Sequence, residues 1–314
     1  MVGRGTNRRW KGLKDLKVKW AVQVLTHHPA YLFFWATSVY ERYESARLRR
    51  LHLRGVEPVL CMGTFYMYPD PTDSHPGASS SILLRGGFYE PESTDLFRRS
   101  LAEGAVVLDI GANIGWYTLL AGKAVGPSGK VVACEPEPHS VRLLERSVKL
   151  NRLTNVVLVE KCVSDKNGDA ILHLSATNAG GHSILQSADS VSDVRVDSIT
   201  IDELCHQLSL ERVDVIKMDA EGAEPLIFVG ASSLLSRAQP RHVLMEYSPS
   251  AWEGFAPILT RLFDEFTVFE VRRRAAPIRR LSSSELPSRR QAMLFLVRKG
   301  VGGRNGQAAL RERW

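Results

Sequence analysis

The sequence predicts an α/β fold, a doubly wound sheet of seven strands with helices on both faces, preceded by a helical appendage. Three observations carry this. Short apolar runs alternate with stretches of helical periodicity from residue 105 to residue 298. The run Val106 to Leu108 has no polar alternation, as in a parallel strand covered on both faces. It leads into a turn marked by Gly111 and Gly115 and then into a helical stretch from Trp116 to Val125. Strand, glycine turn and helix in that order form a nucleoside-binding unit.

Strands are expected at 105–110, 130–135, 156–160, 213–219, 241–247, 267–272 and 291–298, with helices near 93–102, 115–125, 138–151, 200–208, 223–235 and 251–265. Residues 169–199 form an insertion of short strand-like pieces around a glycine-rich loop at 178–184. The chain divides into an N-terminal appendage at 1–68, a linker at 69–81 made of turn formers, a main domain at 82–299 and a Gly- and Arg-rich tail at 300–314.

Charge is unevenly placed in this chain of 314 residues with net charge +7. Residues 1–60 hold 12 Lys and Arg against 4 Asp and Glu, and the remainder holds 29 against 30. The main domain is close to neutral, which argues against a nucleic-acid partner, since such a domain carries a basic track beside its site. Trp20 to Tyr40 is apolar and aromatic, but Gln23, His27, His28 and Pro29 interrupt it within the roughly 20 residues that a membrane span needs. It lacks a small-residue cleavage site and is not read as a secretory signal. Two uses remain for residues 1–60: packing in a core or dimer interface, or peripheral contact with a membrane. Cys61, Cys134, Cys162 and Cys205 show no C-x-x-C spacing and lie in apolar surroundings, as expected of reduced thiols in a cytoplasmic protein.

The glycine turn identifies the ligand class. Gly111 and Gly115 let the backbone turn tightly and approach a ligand, and the helix after them presents free amides. Glu135 closes the second strand, where an acid accepts hydrogen bonds from ribose hydroxyls. A dinucleotide calls for G-x-G-x-x-G. Here those positions are Gly111, Asn113 and Trp116, which argues against a dinucleotide.

The pattern D-x-G-x-N-x-G at 109–115 instead resembles motif I of class I S-adenosylmethionine methyltransferases. Gly86 to Thr94, Leu150 to Val156, Val163 to Gly168 and K-x-D-x-E-G-x-E at 217–224 follow in the order of the FkbM family, which the chain resembles over roughly residues 80–300. The resemblance implies a Rossmann-like methyltransferase sheet with its last strand inserted antiparallel. It also implies S-adenosylmethionine as cofactor and methyl transfer to a hydroxyl of a sugar, glycolipid or natural product.

For the cofactor, Asp109 is expected near the ammonium group, Glu135 at the ribose, and Asn113 in the loop or against the methionine part. Ser164 and Asp165 are expected at the adenine, or else in an ordinary turn. Glu90, beside Tyr89, would fold over the cofactor as a lid or cap the helix near 93. For catalysis, Asp219 ends the fourth strand beside the first, Glu221 follows in the turn, and Lys217 points to the same side of the strand as Asp219. Glu246 ends the next strand, and His182 sits in the glycine loop with a side chain that titrates near neutrality. Asp219, Glu221 and Glu246 are oxygen ligands suited to a hard cation, but the resemblance does not imply metal and a metal-free site is expected.

Two alternatives stand beside an O-methyltransferase. One is an RNA methyltransferase, against which the N-P-P-Y motif is absent, with Asp219 to Gly222 in its place. The other is a non-catalytic nucleoside-binding scaffold for a membrane or partner.

Overall fold

The computed structural model describes residues 57–70, 87–175, 181–185, 190–272 and 278–300, all within one compact unit, Val56–Trp314. It opens with a hairpin, β1 (Val59–Cys61) and β2 (Phe65–Met67), followed by α1 (Pro91–Ser100). Next come β3 (Val106–Ile110), α2 (Trp116–Ala124), β4 (Lys130–Cys134), α3 (Pro138–Leu150) and β5 (Val156–Val159). Then comes β6 (Cys162–Val163), and the insertion supplies β7 (Gly168–Ser175) and β8 (Ser190–Ile199). The chain continues through α4 (Ile201–Gln207), β9 (Val215–Met218), α5 (Glu224–Val229), α6 (Ser232–Ser236), β10 (His242–Tyr247), α7 (Ala256–Glu265), β11 (Phe266–Val271), β12 (Ile278–Arg280) and β13 (Ala292–Arg298).

The central sheet runs β12-β11-β13-β10-β9-β3-β4-β5. Strands β10, β9, β3, β4 and β5 are parallel, and β13 enters antiparallel between β10 and β11. The expected seven strands are all present, and β12 adds an eighth by pairing with β11. Strand alternation feeds two cores. Leu108, Ile110, Val132, Ile216 and Met218 pack on one face, and Val107, Val131, Ala133, Val215 and Leu244 on the other. Each side chain so withdrawn from water contributes roughly 1.5–3 kcal/mol. All four cysteines are buried free thiols, as expected.

Local chemistry sets the helix ends. Glu137 caps α3 by accepting from the His139 and Ser140 amides at 2.8 and 2.6 Å, with Pro138 at the first helical position. The helix expected at 223–235 is divided into α5 and α6. At Gly230 a Cβ would come 2.3 Å from the Ser164 carbonyl oxygen, so the chain bends there against the insertion. Asp202 of α4 then caps α6 from outside, accepting from the Ser233 and Leu234 amides at 2.7 and 2.9 Å. The helix expected at 251–265 starts only at Ala256, after a 3₁₀ turn at Pro249–Trp252 and Gly254 at φ 86°.

The boundary expected at residue 68 is also corrected. The β1–β2 hairpin belongs to the main unit: Asn151 at the end of α3 accepts from the Tyr66 amide at 2.8 Å, and the Ser147 hydroxyl oxygen accepts from the Tyr68 amide at 3.0 Å. The expectations for residues 1–56, for most of the linker, for parts of the glycine loop and for the tail beyond 300 lie outside the described residues.

Candidate active site

The end of β3 and the turn after it form one wall of a cavity. Gly111 and Gly115 have φ of 71° and 97°, and Asn113 joins them at 49°. The Gly111 and Ala112 amides both donate to the Cys134 carbonyl at 3.0 Å. Asn113 serves the loop itself, since its Oδ1 accepts the Ile114 amide at 2.6 Å. Glu135, directly after β4, accepts from the Asn113 amide at 2.7 Å with one oxygen and from the Glu137 amide at 2.9 Å with the other. Both oxygens keep a free lone pair, so the carboxylate that fixes the loop still has capacity for two hydroxyls. Burial pushes its pKa up to about 7 against the pull of those two amides.

Trp116, where a dinucleotide site has glycine, has a slot built for it. Its ring meets Phe65 edge-on at 5.4 Å and Tyr89 at 5.8 Å, and its Nε1 donates to the Thr94 hydroxyl at 2.9 Å. The hairpin and α1 thus enclose the bulky residue, and Tyr89 stands in the cavity wall.

The turn after β9, packed against this loop, brings acids to the cavity lining. Lys217 on β9 is 4% exposed, and its Nζ lies 3.5 Å from Asp219, 3.9 Å from Asp109 and 3.1 Å from the Gly111 carbonyl that accepts from it. Burial disfavours the ammonium, but Asp219, Asp109 and Glu90 outweigh this and raise its pKa. Asp219 and Glu221 line the cavity, with Glu221 in the left-handed region at φ 51°. Carboxylate oxygens of Asp219, Glu221 and Glu246 come within 4.8 Å of one another, a spacing that would admit one cation. Burial first, and then the charge of Asp219, push Glu221 up to about 8 and Glu246 up to about 7. Gln291 donates to Glu246 at 2.5 Å.

Several expected residues sit elsewhere. Asp109 is fully buried behind the cavity wall, where it accepts from the Thr118 hydroxyl at 2.6 Å. It therefore reaches the site through Lys217 and does not line it. Ser164 and Asp165 face a second cavity beside β7 and β8, bonded to each other at 3.0 Å, and Lys161, Cys162 and Val163 line the first cavity in their place. Glu90 leaves α1 uncapped and instead accepts from the Tyr117 hydroxyl at 2.7 Å. His182 does line the cavity, but its Nδ1 accepts the Ser175 amide at 3.1 Å. The neutral ring then carries its proton on Nε2, which suits a donor and not a base. Burial lowers its pKa.

Three contributors were not read from the sequence. Tyr117 holds Glu90, and its ring lies 5.1 Å from the Lys217 ammonium. Glu224, fully buried, accepts the Ala220 amide at 2.8 Å and shapes the turn that carries Glu221. Gln291 on the approach to β13 orients Glu246. Only Glu224 had a signal, as the last letter of K-x-D-x-E-G-x-E.

Comparison with known proteins places this geometry. The family model described as the methyltransferase FkbM domain matches residues 109–274, more than half of the chain. The 2-O-methyltransferase NoeI of Sinorhizobium fredii is 28% identical over 183 residues, covering 53% of this chain and 72% of that protein. A probable cobalt-precorrin-6B C(15)-methyltransferase (decarboxylating) of Sulfurisphaera tokodaii is 40% identical over 65 residues, 21% of this chain and 34% of that one. Among solved structures, a putative methyltransferase from Streptococcus mutans in complex with SAH aligns over 66% of this chain and 95% of its own at 10% identity, with a TM-score of 0.40. The chain belongs to the FkbM methyltransferase family and takes S-adenosylmethionine as its methyl donor.

Proposed function

We propose that the chain methylates a hydroxyl oxygen of a sugar or other polyhydroxylated small molecule, with Asp219 as the proton acceptor. The observation that carries this is the placement of Asp219 on the cavity wall with the Lys217 ammonium 3.5 Å behind it. The donor supplies a methyl group on a sulfonium sulfur, and an oxygen acceptor must lose its proton as the new bond forms. A carboxylate held against a buried cation is fixed in orientation, so the acceptor oxygen meets it in one geometry. The likeness to a 2-O-methyltransferase over 72% of that protein's length supports oxygen as the acceptor atom.

The test is turnover on a panel of sugar and glycoside acceptors, with methyl position read by mass spectrometry. Asp219→Asn is expected to bind S-adenosylhomocysteine like the wild type and to lose about 10²- to 10⁴-fold in turnover, the usual contribution of a base. Methyl transfer to nitrogen or carbon, or full turnover in the variant, would overturn the assignment.

A further inference from the structure

Residues 181–185, between β7 and β8, stand beside the donor cavity, and His182 and Ile184 line it. Two neighbours fix this segment. Ser183 pairs with His173 of β7 through both backbone bonds, at 2.8 and 3.2 Å. The Ser183 hydroxyl donates to the Glu221 carbonyl at 2.8 Å and accepts from the Leu185 amide at 3.0 Å. The His182 ring is fixed as well, because its Nδ1 is taken by the Ser175 amide. The proton of the neutral imidazole then lies on Nε2, and that N–H has no hydrogen-bond partner among the described residues. Nε2 is not sealed within the protein either, so an unused donor is held at the cavity wall.

The charges around the ring show which end of the cavity it serves. The carboxylates that reach it are those of Glu137 and Asp70, and burial keeps the ring neutral against their pull. Glu137 follows Glu135 and Pro136, which line the same cavity, and its amide donates to Glu135. His182 therefore stands at the Glu135 end, while Ser183 is tied to the Glu221 turn. A ribose hydroxyl that gives its proton to a carboxylate keeps the lone pairs of its own oxygen. Such an oxygen still lacks a donor. A neutral imidazole with its proton on Nε2 supplies one, on a segment already ordered before the ligand arrives.

We propose that the His182 Nε2–H donates to a ribose hydroxyl oxygen of S-adenosylmethionine, so that the ribose is held by one acceptor, Glu135, and one donor. The proposal rests on Glu135 meeting the ribose and is independent of which acceptor is methylated. Calorimetry tests it with S-adenosylhomocysteine and its 2′-deoxy and 3′-deoxy analogues, each on the wild type and on His182→Asn. Asparagine keeps an oxygen for the Ser175 amide in place of Nδ1, but its shorter side chain withdraws the donor. The variant is expected to bind S-adenosylhomocysteine about 3- to 10-fold more weakly, the usual worth of one hydrogen bond. One of the two analogues, lacking the oxygen that His182 meets, should bind wild type and variant equally. Unchanged affinity in the variant, or a difference that persists with both analogues, would overturn the proposal. If both analogues bind the wild type as tightly as the parent compound, the ribose reading of Glu135 falls with it. A second measurement needs no variant. Diethyl pyrocarbonate modifies neutral imidazoles, and mass spectrometry locates the product. Saturating S-adenosylhomocysteine should slow modification of His182 severalfold and leave the exposed His206 of α4 unaffected; no protection at His182 would equally overturn the proposal.

Discussion

Gly111 and Asp219 touch backbone to backbone. The Asp219 amide donates to the Ile110 carbonyl at 3.1 Å, and a Cβ on Gly111 would come 1.8 Å from the Asp219 carbonyl oxygen. The loop proposed to receive the donor and the turn that carries the proposed base are thus one packed unit, with Lys217 bonded across it to the Gly111 carbonyl.

Gly111→Ala should therefore damage both functions. The φ of 71° already disfavours a side chain, and the contact is with backbone, which has no rotamer to give. A loss of about 2–4 kcal/mol in denaturant unfolding is expected, with weaker S-adenosylhomocysteine binding by calorimetry. A variant as stable as the wild type with unchanged affinity would mean that loop and turn separate freely.

Glu135 predicts how donor binding depends on pH. If ribose hydroxyls donate to the carboxylate, as proposed, binding favours the ionised form, and burial pushes the pKa in the free protein up to about 7. Affinity for S-adenosylhomocysteine should rise with pH through neutrality and fall below it by up to about tenfold per pH unit. Glu135→Gln should bind more weakly and with a flat profile between pH 6 and 8. A pH-independent wild type would remove Glu135 from the ribose.

The positions of the seven strands were legible because apolar runs carry them, and the antiparallel entry of β13 was legible only through the family resemblance. The shared side of Lys217 and Asp219 followed from strand alternation alone. Depth was not legible. Asp109 is near the end of its strand in sequence, but it lies behind the wall, and only the Thr118 and Lys217 side chains reveal that. Of the two uses expected for Ser164 and Asp165, adenine contact or an ordinary turn, sequence alone does not choose, because the pairing of β6 with β8 that turns them towards the second cavity joins residues distant in the chain. The break at Gly230 depends on the Ser164 backbone, distant in sequence, and leaves no trace in helical periodicity. Trp116 read as a missing glycine because the slot formed by Phe65 and Tyr89 comes from outside the motif.

The carboxylates of Asp219, Glu221 and Glu246 invite a metal test. Their spacing would admit a divalent ion, but burial holds Glu221 and Glu246 near neutral pKa values, so protons relieve much of the repulsion that a cation would otherwise relieve. Turnover should persist in excess EDTA. Loss of turnover restored by Mg²⁺ would show that the three acids act as ligands.

Glu224 should make the ligand-free protein less stable in mild alkali. Burial pushes its pKa up to about 8, and one oxygen has no partner among the described residues while the other holds the Ala220 amide. A raised carboxylate binds its proton more tightly in the folded state, so its stabilisation is full below the unfolded value near 4.5 and is lost as pH rises through about 8. Glu221, Glu246 and Glu135 act in the same direction. His242, which burial holds down to about 4, acts oppositely but only below pH 6.5. Stability should then fall between pH 6.5 and 9. Glutamine is neutral at every pH in that window and keeps an oxygen for the Ala220 amide. Relative to the wild type, Glu224→Gln should gain about 2–3 kcal/mol more at pH 9 than at pH 6, because the wild type goes on losing stability between pH 6 and about 8 while the variant does not. Glu224→Ala, which strands the amide and leaves a void, should lie about 2 kcal/mol below Glu224→Gln at both pH values. Urea unfolding of the three proteins at the two pH values decides it, and a Glu224→Gln variant weaker than the wild type at pH 9 would show that the buried carboxylate is ionised and paired.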